Sequence, residues 1–305
     1  MQGQPEGAMA PIDMSDIPST LHVGTSSFSE TDWKGKFYPA GMPPRDFLAH
    51  YAQSLRTVEI DATWYARPSR RTVESWARKV PEEFVFSLKV PKEITHDGYL
   101  EDCREPWTAF LRALEPLGDR RGPLLFQFPY IAKRRDPDEY AHGRDFLRRL
   151  RGFLPLLPEE GQYVVEVRNE KWLGEELAEL LRSRSVALCL SAYYTMPSPR
   201  GWFARCDPVT APFTYLRFLG HRRRMDGLIE KLQKDGKRRK FDEIVVDRGD
   251  ETRRWVETLR GIQDRLSDIY VYFNNHYAGY APGSVELFLK IWRELDGGKS
   301  RAAGD

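Results

Sequence analysis

Residues 162–168 read QYVVEVR, and this short run decides which fold the sequence favours. Side chains on a β-strand alternate between two faces, so Val165 and Val167 share one face while Glu166 and Arg168 share the other. The apolar face suits packing beneath helices. The charged face requires a polar interior, because a buried charge without a partner is strongly destabilising. The segment therefore predicts a strand with helices on one side and a polar interior on the other.

Seven further segments are short and rich in β-branched and aromatic residues, which is typical of strands. They begin at residues 21, 57, 83, 122, 186, 213 and 268, and seven helical patterns lie between them. No glycine-rich dinucleotide motif follows the first segment, and no linker divides the chain. We therefore predict an α/β fold, a single (β/α)8 TIM barrel over residues 21–297, with a doubly wound sheet as the alternative.

Three segments depart from regular alternation. Residues 195–212 contain four prolines and no helical period, so we expect the sixth helix to be reduced or replaced by an irregular proline-rich loop. Residues 1–20 and 298–305 are expected to form disordered tails at the two ends of the chain.

The composition indicates which cellular compartment and which binding partners suit the protein. The 305 residues carry a net charge of +2, which gives no overall attraction to nucleic acid or membrane. Three widely spaced cysteines lack metal-ligand spacing and fit a reducing cytoplasm. No secretion signal and no long apolar window is present, so we expect a cytoplasmic protein without a membrane segment. No cofactor motif appears, and no cofactor is predicted.

Polar side chains recur on one face of the predicted strands, near their C-terminal ends, where TIM-barrel active sites lie. The set consists of Glu59, Asp61, Ser87, Lys89, Gln127, Glu166, Arg168, Arg217, Tyr272 and Asn274. Two interpretations fit: a functional site, or a structural ion network that closes the barrel top. We favour the site, because apolar layers fill most barrel interiors without such a network.

Six blocks of the sequence resemble, in order and spacing, those of the YecE-like barrel family, also known as domain of unknown function 72 (DUF72). The blocks are GTSSFSETDWKGKFYP, VEIDATWYARPS, WARKVPEEFVFSLKVPKEITH, GPLLFQFP, VEVRNEKW and YVYFNNHYAGYAP. The resemblance covers nearly all of residues 21–297 and implies a TIM-barrel fold. It implies no particular reaction. The positions that match the family motif are Glu59, Tyr65, Lys89, Thr95, His96, Gln127, Glu166, Arg168, Trp172, Asn274 and Asn275.

The chain also departs from the family pattern. Ser27 and Phe28 stand where relatives usually have Gly-Trp, Asp61 where they have Asn, and Asn169 where they have His. Relatives carry Arg-x-His-Gly at residues 217–220, and this chain has Leu219 at the histidine position. If that imidazole transfers protons in relatives, this chain lacks it or uses the neighbouring His221.

The residue types favour acid/base chemistry on a small phosphorylated or carboxylated metabolite, without a metal. Each inward carboxylate can be matched with Lys89, Arg168 or Arg217, which repel a metal cation. The predicted catalytic residues are Glu59 or Glu166 as the base and His96 as the proton donor. The predicted substrate-binding residues are Tyr65, Lys89, Gln127, Arg168, Arg217, Asn274 and Asn275. The loops after the last two strands predict an anion site at His221 and Arg222.

Two other functions remain open at this point. Residues 221–240 contain nine Lys or Arg against three Asp or Glu, so a nucleic acid is an alternative partner, docking through Arg238, Arg239 and Lys240. A ligand-binding barrel without catalysis fits the same predicted pocket, because fold does not determine function.

Overall fold

The computed structural model describes residues 11–131, 139–232 and 240–302. The strands follow the predicted segments, and all ladders are parallel. Their bounds are β1 (Leu21–Thr25), β2 (Thr57–Ile60), β3 (Val85–Lys89), β4 (Arg121–Gln127), β5 (Tyr163–Glu166), β6 (Ala187–Leu188), β7 (Leu190–Tyr193), β8 (Phe213–Gly220) and β9 (Asp268–Phe273).

Helices occupy most of the connections between strands, and shorter helical turns extend several of them. The α-helices are α1 (Phe47–Tyr51), α2 (Arg70–Ala77), α3 (Arg104–Leu114), α4 (Glu139–Phe153), α5 (Glu175–Arg182), α6 (Pro199–Phe203), α7 (Arg222–Leu232), α8 (Gly249–Ile262), α9 (Asn275–Ala278) and α10 (Ala281–Ala302). None of the helices in the described ranges is long and apolar enough to cross a membrane.

The strands form two parallel sheets, in the orders β2-β3-β4-β5-β6 and β1-β9-β8-β7. Only Cys189 separates β6 from β7, so the single strand predicted at residue 186 contributes to both sheets. The predicted α/β class with parallel strands is confirmed. The hydrogen-bonded ladders among the described residues do not by themselves close the two sheets into a barrel.

A tyrosine hydroxyl links β1 to β2, the first strands of the two sheets. The hydroxyl of Tyr51 accepts a hydrogen bond from the backbone N–H of Thr25 (3.0 Å) and donates one to the carbonyl oxygen of Thr57 (3.0 Å). Gly24 lies beside this link, where a Cβ would overlap the Thr57 carbonyl oxygen and lie 3.1 Å from the Tyr51 hydroxyl oxygen. The approach of the two strands therefore depends on a residue without a side chain.

Alternation along the strands separates two apolar cores. Val165 and Val167 belong to the larger core, which the helices cover, as the sequence predicts. Val164, on the opposite face of β5, belongs to a smaller core that also contains Tyr215 and Tyr272. Because β5 lies in one sheet and these tyrosines in the other, the two sheets face each other across the smaller core.

The connection at residues 195–212 and the two chain ends can be compared with the predictions. α6 has five residues, so the sixth helix is reduced, as expected. The expected disordered tail is wrong for residues 11–20, because Ile12, Met14 and Ile17 are buried against the larger core. At the other end, α10 continues through Ala302, since each added residue gains one helical hydrogen bond. The remaining tail residues, 1–10 and 303–305, lie outside the described ranges.

The Gly24→Ala substitution is expected to lower the free energy of unfolding by about 1–3 kcal/mol, because the new methyl group forces β1 away from the Thr57 carbonyl. Urea unfolding followed by circular dichroism measures this change. Gly152→Ala is the matched control, since Gly152 lies in α4 and an added methyl group there would meet nothing within 4 Å, so the change should be neutral or stabilising. Equal stability of the two variants would contradict the role given to Gly24.

Candidate functional site

Arg217 of β8 is the centre of the polar interior. Its guanidinium is only 1% exposed and lies between two fully buried carboxylates. Nη2 donates to Oε1 of Glu59 and Nη1 donates to Oε2 of Glu166, both at 2.6 Å. Nη2 also lies 3.2 Å from Oδ1 of Asp61. One side chain therefore joins β2, β5 and β8, and it brings together three residues that the sequence analysis placed on inward faces.

A second layer of contacts surrounds these groups. The hydroxyl of Tyr215 donates to Oε2 of Glu59 (2.6 Å), and Nε of Arg168 donates to Oε1 of Glu166 (2.8 Å). Nζ of Lys89 lies 3.9 Å from Oδ1 of Asp61. The three carboxylates Glu59, Asp61 and Glu166 are thus matched by the three cations Lys89, Arg168 and Arg217. This balance is what burial of charged groups requires.

The pKa values of the two buried glutamates are shifted in opposite directions. Burial raises the pKa of Glu59, and the neighbouring Asp61 adds to this effect, although Arg217 favours the ionised form. Burial also opposes ionisation of Glu166, but the charges of Arg217 and Arg168 outweigh it and lower the pKa to about 2. Glu166 is therefore a fixed anion, whereas Glu59 is the glutamate that is closer to accepting a proton.

A cavity of about 360 Å³ opens beside this network. Its lining consists of Asp61, Trp64, Tyr65, Lys89, His96, Gln127, Pro129, Tyr130, Arg168 and Arg222. We call it the Lys89–Arg168 pocket. Six of the predicted site residues line it, while Glu59, Glu166 and Arg217 lie behind it and expose no more than 1% of their surface. Neither predicted catalytic glutamate reaches the open space of the pocket: Glu166 contacts the lining residue Arg168, and Glu59 contacts Arg217 behind it.

His96 is neutral in this environment. Burial, together with the charges of Lys89 and Arg168, lowers the pKa of His96 to about 4. The indole N–H of Trp64, which can only donate, points at Nδ1 of His96 (3.3 Å). The proton of the neutral ring is therefore on Nε2. In this form His96 can offer a hydrogen bond to a ligand, but it has no extra proton to transfer at neutral pH.

Three other predicted site residues have structural contacts elsewhere. Oδ1 of Asn274 accepts a hydrogen bond from the backbone N–H of His276 (2.9 Å) and so caps the N-terminus of α9. Oδ1 of Asn275 accepts from the backbone N–H of Ala281 (3.0 Å), so the first residue of α10 is already capped. The ring of His221 stacks on Tyr194 at 4.1 Å and lines neighbouring cavities.

The predicted nucleic-acid segment is only partly described. Arg238 and Arg239 lie outside the described residues, and Lys240 is exposed. Docking of a nucleic acid on this segment stays a prediction.

Sequence reasoning missed several aromatic residues of the site. Tyr215 had a detectable signal, since it lies two residues before Arg217 and shares its face of β8. Trp64 and Tyr130 follow the ends of their strands, where the period-two pattern no longer applies, and Tyr193 is the last residue of β7. The guanidinium of Arg168 lies 4.8 Å from the ring centre of Tyr193, and Nζ of Lys89 lies 4.9 Å from that of Trp64. Aromatic faces therefore support the two cations Lys89 and Arg168.

The carboxylates of the interior surround a guanidinium. Within the described part of the chain, no group of three or more His, Cys, Asp or Glu side chains is arranged to hold a metal ion.

The sequence was compared with protein families and with known proteins. The model of the family "Protein of unknown function DUF72" matches residues 22–303. The chain belongs to the DUF72 family. UPF0759 protein YecE of Escherichia coli is 34% identical over 137 residues, which cover 44% of this chain and 47% of YecE. The alignment thus spans about half the length of that relative. UPF0759 protein YunF of Bacillus subtilis is 24% identical over 89% of this chain and 94% of YunF.

Solved structures of DUF72 proteins resemble the fold. A DUF72 family protein from Thermotoga maritima has a TM-score of 0.67 and 29% identity, covering 90% of this chain and 99% of that one. Another, from Enterococcus faecalis, has a TM-score of 0.61 and 21% identity, covering 90% and 95%. The DUF72 membership implied by the six sequence blocks is confirmed.

Arg217→Met is expected to lower the free energy of unfolding by about 3–5 kcal/mol at neutral pH, because Glu59 and Glu166 lose their shared partner. The loss should shrink at acidic pH, where the carboxylates that have lost Arg217 take up protons and no longer bury charge. Urea unfolding at the two pH values measures both effects.

The control is Arg253→Met, whose exposed partner is Glu294 and whose loss should stay within about 1 kcal/mol. Equal losses for the two variants would show that the Arg217 network does not support the fold.

Proposed function

We propose that the two sheets are the halves of one eight-position barrel of the TIM type. Three observations support the proposal. β6 and β7 continue one strand from one sheet into the other, the Tyr51 hydroxyl links β1 to β2, and the smaller core contains residues of both sheets. In this arrangement the Lys89–Arg168 pocket lies at the C-terminal strand ends, which is the face that carries the active sites of TIM barrels.

We propose further that the Lys89–Arg168 pocket binds a small phosphorylated or carboxylated metabolite. The observation that carries the proposal is the state of Arg168. Its Nε donates a hydrogen bond to Glu166, while Nη1 and Nη2 form no hydrogen bond among the described residues. A guanidinium fixed on one side and open on the other is suited to two parallel hydrogen bonds to an oxyanion.

Other groups in the pocket support the same ligand. Nζ of Lys89 supplies a second positive charge and His96 an uncharged N–H donor. Gln127 adds a side-chain amide to the lining. Only Asp61 brings a carboxylate to the lining, and it is already shared by Arg217 and Lys89. An anion entering the pocket therefore meets positive charge and hydrogen-bond donors.

The chemistry in the proposal is acid/base catalysis without a metal. Burial lowers the pKa of Lys89, with Asp61 opposing the shift, so this lysine is the pocket group most suited to give and take a proton. The proposal gives different roles to the residues that the sequence analysis assigned to proton transfer. Glu59 and Glu166 orient the two arginines, and His96 donates a hydrogen bond. A ligand-binding protein without catalysis has the same pocket and differs only in turnover.

We also propose a cytoplasmic location. Cys103, Cys189 and Cys206 are free, buried thiols. Three unpaired cysteines fit a reducing compartment.

Binding of inorganic phosphate tests the anion pocket, using thermal shift and calorimetry at low and high salt. Arg168→Met and Lys89→Met should each weaken binding about tenfold or more, because a hydrogen bond to a charged group is worth about 1.5–3 kcal/mol. Lys290→Met, an exposed change on α10, is the control and should bind as the parent does. Parent-like binding by both pocket variants would refute the proposal, and so would the absence of any binding to the parent.

The lowered pKa of Lys89 gives a separate prediction. The affinity for sulfate, whose charge is constant, should fall as the pH rises through the pKa of Lys89, because only the ammonium attracts the anion. This fall should begin below the ordinary lysine value of 10.5. The Lys89→Arg variant should bind sulfate without this fall in affinity, since arginine stays charged. The same fall in the variant would assign the pH dependence to another group.

A further inference from the structure

Three exposed tyrosines lie in or beside the pocket. Among the described residues, five large hydrophobic side chains are exposed, and three of them are Tyr65 (71%), Tyr194 (52%) and Tyr130 (40%). Tyr65 and Tyr130 line the pocket, and the rings of Tyr130 and Tyr194 lie 6.5 Å apart. We call these residues the tyrosine rim. Single exposed aromatics are common on protein surfaces, but a group beside paired cations is a feature of binding sites.

The backbone that carries the rim is held in place. The hydroxyl of Thr63, two residues before Tyr65, donates to the carbonyl oxygen of Lys89 (2.6 Å). The buried amide of Asn169 binds the backbone N–H and the carbonyl oxygen of Ile131, both at 2.9 Å, and so fixes the residue after Tyr130. Tyr65 and Tyr130 are therefore presented to solvent by restrained segments, which reduces the entropy lost when a ligand binds.

The rim also stands at a defined distance from the charged groups. Trp64 separates Lys89 from Tyr65: its ring lies 4.9 Å from Nζ of Lys89 and 4.9 Å from the ring of Tyr65. The exposed aromatic surface thus begins one ring away from the anion-binding groups. A lone inorganic anion would contact the cations and leave this surface unused.

We propose that the ligand is an organic phosphate or carboxylate whose charged group is joined through a short spacer to a planar ring. The charged group contacts Arg168 and Lys89, and the ring stacks on the tyrosine rim. This inference rests on the proposed anion pocket and adds the second half of the ligand. Aryl phosphates and nucleoside monophosphates both have this chemistry.

The test compares phosphates that differ only in the organic group attached to the phosphate. Inorganic phosphate, methyl phosphate and phenyl phosphate are titrated by calorimetry, with ribose 5-phosphate and a nucleoside 5′-monophosphate as a second pair. Phenyl phosphate should bind about fivefold or more tightly than methyl phosphate, since stacking of a ring on an aromatic side chain is worth about 1–3 kcal/mol. A larger gain from ribose 5-phosphate to the nucleotide identifies a nucleotide-like ligand, and a larger gain from methyl to phenyl phosphate identifies a simple aryl ligand.

Variants of the rim test whether the tyrosines cause the gain in affinity for phenyl phosphate. Tyr65→Ala and Tyr130→Ala should reduce the ratio of phenyl to methyl phosphate affinity toward one, while Phe203→Ala, an exposed aromatic outside the rim, should keep the parent ratio. A ratio near one in the parent, or an unchanged ratio in both tyrosine variants, overturns the inference and leaves the anion pocket standing. Failure of every phosphate to bind refutes the anion pocket itself.

Discussion

The ion pairs of Arg217 are the interaction on which the rest of the interior depends. One guanidinium neutralises Glu59 and Glu166, which come from different strands and have no access to water. Without it the interior would hold two buried carboxylates, of which only Glu166 has another cation within reach. Arg168 is tied to the same contacts, because its Nε and Nη1 of Arg217 bind different oxygens of the one Glu166 carboxylate. The stability of the fold and the geometry of the pocket therefore share one set of contacts.

Much of the fold and of the polar interior could be predicted from the sequence. Period-two alternation correctly placed Val165 and Val167 under the helices and put Glu59, Glu166 and Arg217 on a common side. The pattern could not say which of these groups reach a cavity, because that depends on how far each side chain extends past the strand end. It also could not find the aromatic residues after the strand ends, since no simple periodicity governs loops. The burial of Ile12, Met14 and Ile17 was missed because three apolar side chains in a proline-containing segment resemble a tail.

The pocket combines two kinds of recognition that are separated in space. Charged and polar donors lie at its inner end, where aromatic faces and carboxylates restrain Lys89 and Arg168. Exposed rings lie at the outer end on restrained backbone. Asp61 and Glu166 offset part of the charge of Lys89 and Arg168, so open hydrogen-bond donors add to the electrostatic attraction for an anion. Selectivity then depends on the shape and the acceptor geometry of the ligand.

The separation of Arg217 from Glu59 along the chain bears on how the protein folds. These partners are 158 residues apart, and Glu166 lies 51 residues before Arg217. During synthesis the chain carries both glutamates for a long period before β8 emerges from the ribosome. Until then each glutamate lacks the guanidinium that neutralises it in the folded protein, and burying it would leave a charge without that partner. The native interior can therefore be completed only after residue 217 is available.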